Sequence, residues 1–279
     1  MMSFLGALGA RVTTVAAVTL MICAGFGTQA ARAGTVILEG SDAIGLHCTQ
    51  TSDAGACAYE QQVWTAIGGT DSRSIAVIGD VAGVSSTTHP VLDFSSVAAA
   101  GSLSNYVALY FVAGGGCCSE NDSIVSSPTD QAAILSYLAS GGTVMIENYT
   151  GGAGWDFAVG TGGAGNSYVA GVGGGLGGTS CTDGEVVSAT GLANGFTQPP
   201  TISCWTHQAY DQTYFATLGF TQSFFDAPDY AGLAGTDTFS SLLSSGSTVT
   251  VTESVPEPAS IALIGSAIAG LGMMRRRRR

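Results

Sequence analysis

The stretch from residue 74 to residue 146 constrains the fold more than any other part of the chain, because buried strands alternate there with a helix. Residues 74–80 and 107–112 are short apolar runs that lead into glycine-containing turns. Residues 130–140 place apolar side chains at helical spacing, with Thr129 as the expected N-cap and Gly141-Gly142 as the stop. Residues 143–146 predict the next strand. A strand, a helix and a strand in this order predict parallel strands and therefore an α/β fold.

Residues 74–151 also resemble the flavodoxin-like sheet of class I glutamine amidotransferase-like and ThuA-like domains. In those domains a strand ends in a Gly-rich turn, a helix runs to Gly-Gly, and the following strand leads into the turn that holds the nucleophile. The resemblance implies a mostly parallel, flavodoxin-like sheet. Glu147-Asn148-Tyr149 stands where the amidotransferases place a reactive cysteine. The chain therefore lacks the thiol that this route of acyl transfer needs.

The last 25 residues form a separate pattern of Pro-Glu-Pro, a mostly apolar stretch of sixteen residues, 259–274, and a cluster of arginines. As a helix, sixteen residues extend about 24 Å, a little less than the ~30 Å hydrocarbon core of a bilayer. The positive-inside rule would keep the arginines on the cytoplasmic side. The residues of the motif are Pro256, Glu257, Pro258, Arg275, Arg276, Arg277, Arg278 and Arg279.

This arrangement resembles the PEP-CTERM sorting signal of Gram-negative bacteria. The resemblance implies an exosortase as the processing partner, with cleavage near Pro-Glu-Pro after a transient stay in the inner membrane through a C-terminal transmembrane helix. It also implies a final location at the cell surface or outside the cell, in an envelope that makes exopolysaccharide or biofilm.

The first 33 residues have the pattern of a secretory signal peptide. Arg11 precedes an uncharged apolar run, 12–26, and Ala31-Arg32-Ala33 offers a cleavage site after Ala33. We therefore expect a signal peptide at 1–33, an exported α/β domain at 34–254 and the sorting signal at 255–279.

The charge of the expected domain excludes one class of partner. Arg73 is its one basic residue apart from histidine, against nineteen acidic residues, which gives a net charge of −18. Such a surface repels phosphate backbones, so we expect no nucleic-acid binding. No Asp-x-Asp-x-Asp-Gly loop is present, and no Gly-x-Gly-x-x-Gly follows a predicted strand and opens a helix. We therefore expect no cofactor and no metal.

Six cysteines follow the signal peptide, and in an exported domain they predict up to three disulfides. They are Cys48, Cys57, Cys117, Cys118, Cys181 and Cys204. We expect a bond from Cys48 to Cys57, and one bond from each of the adjacent pair to Cys181 and Cys204. A zinc site made of Cys117, Cys118, Cys204 and His207 is the alternative, although its spacing matches no common zinc pattern.

Residues 151–178 are unusually rich in glycine, with thirteen glycines in 28 positions. This composition predicts a long surface excursion from the sheet. The aromatic residues of this segment either pack it against the rest of the domain or contact a glycan or a protein partner.

The other side chains that could take part in binding or catalysis lie mostly around residues 205–211. Trp205 and Tyr210, together with Trp155, are candidate glycan contacts. His207 with Asp211, Glu147 or Asp156 is a candidate hydrolytic pair. A histidine next to a disulfide is more often structural, so the preferred interpretation is a non-enzymatic surface or matrix protein. A carbohydrate-binding module and an extracellular hydrolase are the alternatives.

Overall fold

The computed structural model describes residues 34–79, 83–112, 122–161, 168–171, 185–197, 205–228 and 236–244, which form one sheet with helices around it. The strands are β1 Thr35–Glu39, β2 Ser74–Ile78, β3 Val91–Phe94, β4 Tyr106–Phe111, β5 Thr143–Glu147, β6 Val169–Gly171, β7 Val186–Val187, β8 Gln208–Asp211, β9 Phe220–Pro228 and β10 Thr236–Ser244. The α-helices are α1 Ala54–Gly68, α2 Val97–Ala100, α3 Pro128–Ala139, α4 Asp156–Val159, α5 Ala189–Ala193 and α6 Gln212–Thr217. A π-helical turn covers Ala43–Cys48, and short 3₁₀ turns cover Leu103–Asn105, Asp122–Val125 and Ala153–Trp155.

The centre of the sheet is parallel, in the order β3-β2-β4-β5-β1. Parallel neighbours need crossover connections, and α1 and α3 supply them between β1 and β2 and between β4 and β5. The predicted strands at 74–80, 107–112 and 143–146 are β2, β4 and β5. The α/β fold with a mostly parallel central sheet is therefore confirmed.

The second half of the chain extends this sheet with antiparallel strands. β9 pairs with β10 along one side, and β1 and β8 pair with different parts of its other side. β6 pairs with β8, and β7 pairs with β9. The alternating pattern of residues 242–252 predicts an edge strand. The strand is confirmed for residues 242–244, which belong to β10, but the edge position is wrong there, because β10 has strand neighbours on both sides.

Each face of the sheet is covered by its own apolar layer. Val36 and Leu38 of β1 point to the layer that contains α3, while Ile37 points to the layer that contains α1. The same alternation holds along β5, where Val144 and Ile146 share the α3 face. Successive strand side chains point to opposite faces. Glu39 and Glu147 therefore lie on the α1 face, at the carboxyl ends of their strands.

The two longer helices begin where local chemistry favours a helix start. The Asp53 side chain accepts hydrogen bonds from the backbone N–H groups of Gly55 and Ala56 and so caps α1. Helix α3 begins with Pro128, and Ser127 precedes it as the N-cap residue. The expected cap at Thr129 lies two positions too late, because proline is itself well suited to the first helical position.

The glycine-rich stretch differs from the expected surface excursion in its first part. Residues 153–159 form a 3₁₀ turn and α4, and Trp155, Ala158 and Val159 are buried against the sheet. Residues 168–171 contribute β6. The other residues of the stretch, 162–167 and 172–178, lie outside the described ranges.

None of the helices in the described ranges combines the length and the hydrophobicity that crossing a bilayer needs. The predicted transmembrane helix at 259–274 and the predicted signal peptide at 1–33 lie outside these ranges. The Cys48–Cys57 disulfide is present, with the two Cα atoms 4.7 Å apart, as predicted. Cys117, Cys118, Cys181 and Cys204 lie outside the described residues.

Candidate functional site

The candidate site forms where the chain leaves β1 and meets the segment that enters β8. Ser41 and Thr206 form an isolated antiparallel β-bridge. The Asp42 backbone N–H donates to the Trp205 carbonyl at 3.0 Å, and the His207 N–H donates to the Gly40 carbonyl at 2.7 Å. These backbone bonds hold together two segments that are about 165 positions apart in the sequence.

Three side chains converge at this junction. His47 Nε2 lies 3.3 Å from Asp42 Oδ1, and His207 Nε2 lies 3.1 Å from Asp42 Oδ2. One donor atom from each of the three residues lies within 4.8 Å of the others. Two imidazoles and a carboxylate are ligands that transition metals accept, so these three residues could hold a metal ion.

The Asp42 carboxylate is almost completely withdrawn from solvent, at 1% exposure. Both histidine nitrogens lie within ion-pair distance of it, but neither carboxylate oxygen accepts a hydrogen bond from any residue in the described part of the chain. The side chain of His207 is also buried, whereas that of His47 is 28% exposed. The cluster is therefore closed on the His207 side and open to solvent on the His47 side.

The π-helical turn positions His47, and the residues around it fix that turn. The ring of His47 stacks on Trp205, with the ring centroids 5.7 Å apart and the planes 28° from parallel. Cys48, the next residue, is bonded to Cys57 in α1. The His47 carbonyl accepts from the Asp53 N–H at 3.0 Å. His47 is thus held by its ring, by its backbone and through the adjacent disulfide.

Two buried glutamates anchor the segment that carries Asp42 and His47. Glu39 Oε1 accepts from the Ser41 backbone N–H at 3.1 Å, and Glu39 Oε2 accepts from the Tyr59 hydroxyl at 2.6 Å. Glu147 Oε1 accepts from the Gly45 backbone N–H at 2.9 Å. The two carboxylates therefore hold the β1 exit at Ser41 and the π-helical turn at Gly45.

The interior on the α1 face of the sheet is strongly negative. Burial raises the pKa of Glu60. The hydrogen bond of 2.9 Å that its carboxylate accepts from the Ser85 N–H lowers the pKa, but by less than burial raises it. Burial, and after it the charge of Glu147, raises the pKa of Tyr110, and the charges of Glu39 and Glu60 act in the same direction. Several carboxylates thus act on one tyrosine in the core.

No arginine or lysine in the described ranges balances these buried carboxylates. Arg73 is the one arginine in the described ranges, which contain no lysine, and its guanidinium pairs with Asp71 at 2.7 Å. This pair holds the pKa of Asp71 down at about 2. Arg73 precedes β2 directly, so it lies at the amino edge of the parallel strands, opposite the edge that holds Asp42.

The candidate hydrolytic residues do not all meet in this site. His207 lies against Asp42, which the sequence interpretation did not single out. Asp211 ends β8, and its carboxylate caps α6 by accepting from the Tyr214 N–H at 3.0 Å. Glu147 lies under the π-helical turn, and Asp156 accepts a hydrogen bond from the Thr161 hydroxyl at 2.5 Å.

The three aromatic residues predicted to contact a glycan are core residues. Trp155 and Tyr210 are fully buried on the α3 face of the sheet, and Trp205 is 4% exposed on the α1 face. They do not form a shared platform, and a sugar could stack on them only after they had moved.

The turn after β5 carries an asparagine, Asn148, in an unusual backbone conformation. Asn148 has φ of 49°, in the left-handed region that asparagine tolerates better than most residues. It is 1% exposed, and neither atom of its side-chain amide has a hydrogen-bond partner in the described ranges. The two residues that follow β5, Asn148 and Tyr149, include no thiol.

Sequence reasoning missed Asp42 and His47. Two signals were present: Asp42 follows a short apolar run, 35–39, and a histidine comes five residues later in the same connection. Nothing in a single sequence indicates that this connection meets His207. The zinc alternative assigned His207 to a cysteine set whose three cysteines lie outside the described residues.

The fold and the site define an α/β domain with a histidine–aspartate cluster at the carboxyl edge of its parallel strands. Residues 254–279 match the family model of the PEP-CTERM protein-sorting motif. The predicted sorting signal is therefore confirmed, and the motif indicates an exported protein that an exosortase recognises and processes at the membrane. No curated protein and no solved structure matches the chain significantly.

Proposed function

We propose that this protein is a non-enzymatic component of the cell surface or extracellular matrix of a Gram-negative bacterium. The observation that supports this proposal best is the sorting motif at residues 254–279. The tail holds the α/β domain at the inner membrane until an exosortase acts, and the domain then moves to the cell surface or into an exopolysaccharide matrix.

Two further features support display of the domain over acyl-transfer chemistry. The turn after β5 has Asn148 in place of a nucleophile. The domain at 34–254 has nineteen acidic residues and one arginine, which keeps it soluble and repels anionic surfaces.

The test is the intact mass of the mature protein from its native host. We expect a chain that begins at Gly34 and ends near residues 255–258, with any attached group visible as added mass. The control replaces Pro256, Glu257 and Pro258 by alanine, and this variant should keep its arginine cluster and stay in the membrane fraction. An intact arginine cluster in the mature wild-type protein would overturn the proposal of exosortase processing.

A hydrolase is the second candidate, and the contact of 3.1 Å between His207 and Asp42 favours it. A carboxylate next to an imidazole can orient a general base. Release of sugar or peptide products from cell-surface material that is lost in His207→Gln would support this candidate. Product release that is unchanged in His207→Gln would rule it out.

A carbohydrate-binding module is the third candidate, and it depends on Trp155, Trp205 and Tyr210. Their burial gives it no support in the described conformation. Glycan-array binding that disappears in Trp205→Ala while the fold is kept would favour it over display alone.

A further inference from the structure

We propose that Asp42, His47 and His207 bind a single divalent transition-metal ion of the Zn²⁺ class. The carboxylate of Asp42 and the Nε2 atoms of the two histidines are the protein ligands. This inference depends on the site geometry and not on the proposed display function.

The spacing of the donor atoms fits such an ion. Zn²⁺ binds nitrogen and oxygen ligands at about 2.0–2.1 Å, and neighbouring corners of a tetrahedron of that size lie about 3.3–3.4 Å apart. His47 Nε2 lies 3.3 Å from Oδ1 of Asp42, and His207 Nε2 lies 3.1 Å from Oδ2, so each imidazole is at about this spacing from one of the two carboxylate oxygens. One donor atom from each of the three residues lies within 4.8 Å of the others, so small rotations of the side chains would let one ion reach all three.

The state of Asp42 points independently to a bound cation. A carboxylate at 1% exposure normally accepts several hydrogen bonds, yet neither oxygen of Asp42 accepts one from the described residues. Both oxygens instead face a histidine nitrogen. A metal ion among these three groups would satisfy the carboxylate and use the lone pairs of both imidazoles.

The surrounding charge favours a cation at this place. Glu39 and Glu147 are buried beneath the same segment, and Arg73, the one arginine of the described ranges, lies at the opposite edge of the sheet. A divalent ion would offset part of this negative charge. The preference for zinc-class metals over Ca²⁺ follows from the two imidazole ligands, because Ca²⁺ prefers oxygen ligands throughout.

The site is also built and accessible. Backbone hydrogen bonds from Asp42 to Trp205 and from His207 to Gly40 fix two of the ligands relative to each other. The disulfide at Cys48 restrains the turn that carries the third. The side chain of His47 is 28% exposed, which gives the ion a path from solvent and leaves room for a water molecule as the fourth ligand.

The experiment uses the full chain, purified without a histidine tag, stripped with a chelator under non-reducing conditions and titrated calorimetrically with Zn²⁺. We expect uptake of one equivalent. Loss of a residue that only supports a metal ligand weakens metal binding by about 10–100-fold. Asp42→Asn and His207→Gln remove ligands themselves, so each should weaken zinc binding by more than that. His89→Gln removes the third histidine of the chain, which lies two residues before β3 at the other edge of the sheet, and this variant should bind zinc as the wild type does.

A Co²⁺ titration covers the case in which a substituted variant folds poorly. The visible absorption of bound Co²⁺ reports nitrogen and oxygen coordination in the wild-type protein without any substitution. Failure of the wild-type protein to take up Zn²⁺ would overturn the proposal. Zinc uptake that survives in Asp42→Asn and in His207→Gln, or a Co²⁺ spectrum dominated by thiolate bands, would also overturn it, because the ion would then be bound elsewhere.

Discussion

Glu39 and Glu147 are directly opposite each other in the register of β1 and β5, and both are 1% exposed. Each accepts a backbone hydrogen bond from the segment above, Glu39 from Ser41 and Glu147 from Gly45. Buried carboxylates are stable only when hydrogen bonds or cations compensate them. This pair therefore couples the core of the sheet to the loop that holds the histidine–aspartate cluster.

Tyr59→Phe should lower the free energy of unfolding by about 1.5–3 kcal/mol, the range for a hydrogen bond to a charged group. The lost bond is the one of 2.6 Å from the tyrosine hydroxyl to Glu39. Urea denaturation followed by circular dichroism measures the change. Tyr214→Phe is the control, since its bond to the Thr161 carbonyl is long, at 3.4 Å, and its loss should cost less than about 1 kcal/mol. Equal effects of the two substitutions would contradict the role of Glu39.

Gly45→Ala should destabilise the protein by about 1–3 kcal/mol, because the new methyl group would overlap the carboxylate of Glu147. It should also weaken zinc binding, since the displaced turn carries His47 only two residues later. Thermal unfolding and zinc titration measure the two effects. In an unconstrained helical turn the same substitution would stabilise by up to about 1 kcal/mol, so a gain in stability would show that Glu147 does not restrain the turn.

Replacing both Cys48 and Cys57 by alanine should lower stability by about 2–4 kcal/mol, near the lower end because the bond closes a short loop. Zinc affinity should fall as well, because His47 directly precedes Cys48. An unchanged affinity in the double variant would mean that the stacking on Trp205 alone positions His47.

Glu60→Gln should reduce the loss of stability between acidic and neutral pH. Burial raises the pKa of Glu60 above its ordinary value of 4.5, so the folded state keeps a proton that the unfolded chain has released. Stability therefore falls as the pH rises from about 4.5 through the folded pKa. A glutamine can still accept from the Ser85 N–H but does not titrate. Melting temperatures measured from pH 4 to pH 8 should decline less in the variant, and parallel curves would show that Glu60 is not responsible.

Trp155→Ala should cost about 3–5 kcal/mol, the usual cost of removing a large buried aromatic side chain. Trp155 is fully buried and packs edge-on against Phe111, with the ring centroids 4.8 Å apart. Leu192→Ala is the matched surface control, because Leu192 is 64% exposed and should change stability by less than about 0.5 kcal/mol. A fully stable Trp155→Ala variant would mean that this tryptophan is available for contact with a ligand.

The central strands and α3 could be predicted because their signals are local. β2, β4 and β5 are compact apolar runs, and Gly141-Gly142 ends α3 between two of them. The antiparallel half was harder to predict, because its pairing joins residues far apart in the sequence, as with Ile37 and Leu243. A single sequence contains no signal for such pairs.

The candidate site was only partly predictable for the same reason. His207 and Glu147 were candidates because histidine and glutamate can act in catalysis. The Cys48–Cys57 bond could be predicted because the two cysteines are close in the sequence. The contact of His207 with Asp42 depends on the bridge between Ser41 and Thr206, which forms only in the complete sheet. The burial of Trp155 and Tyr210 could not be predicted either, since an aromatic side chain in a glycine-rich or polar segment can still be a core residue.

The pairing of β1 with β10 means that the sheet is completed only when most of the chain is available. β1 is the first strand of the domain and β10 is the last described strand, so the two ends of the domain close the sheet together. A chain that crosses a membrane with its N-terminus first leaves one edge of β1 open until residue 244 has emerged. The sorting motif begins at residue 254, only ten positions later. The strand that completes the sheet therefore lies before the motif, and cleavage within the motif leaves β10 and the covered edge of β1 intact.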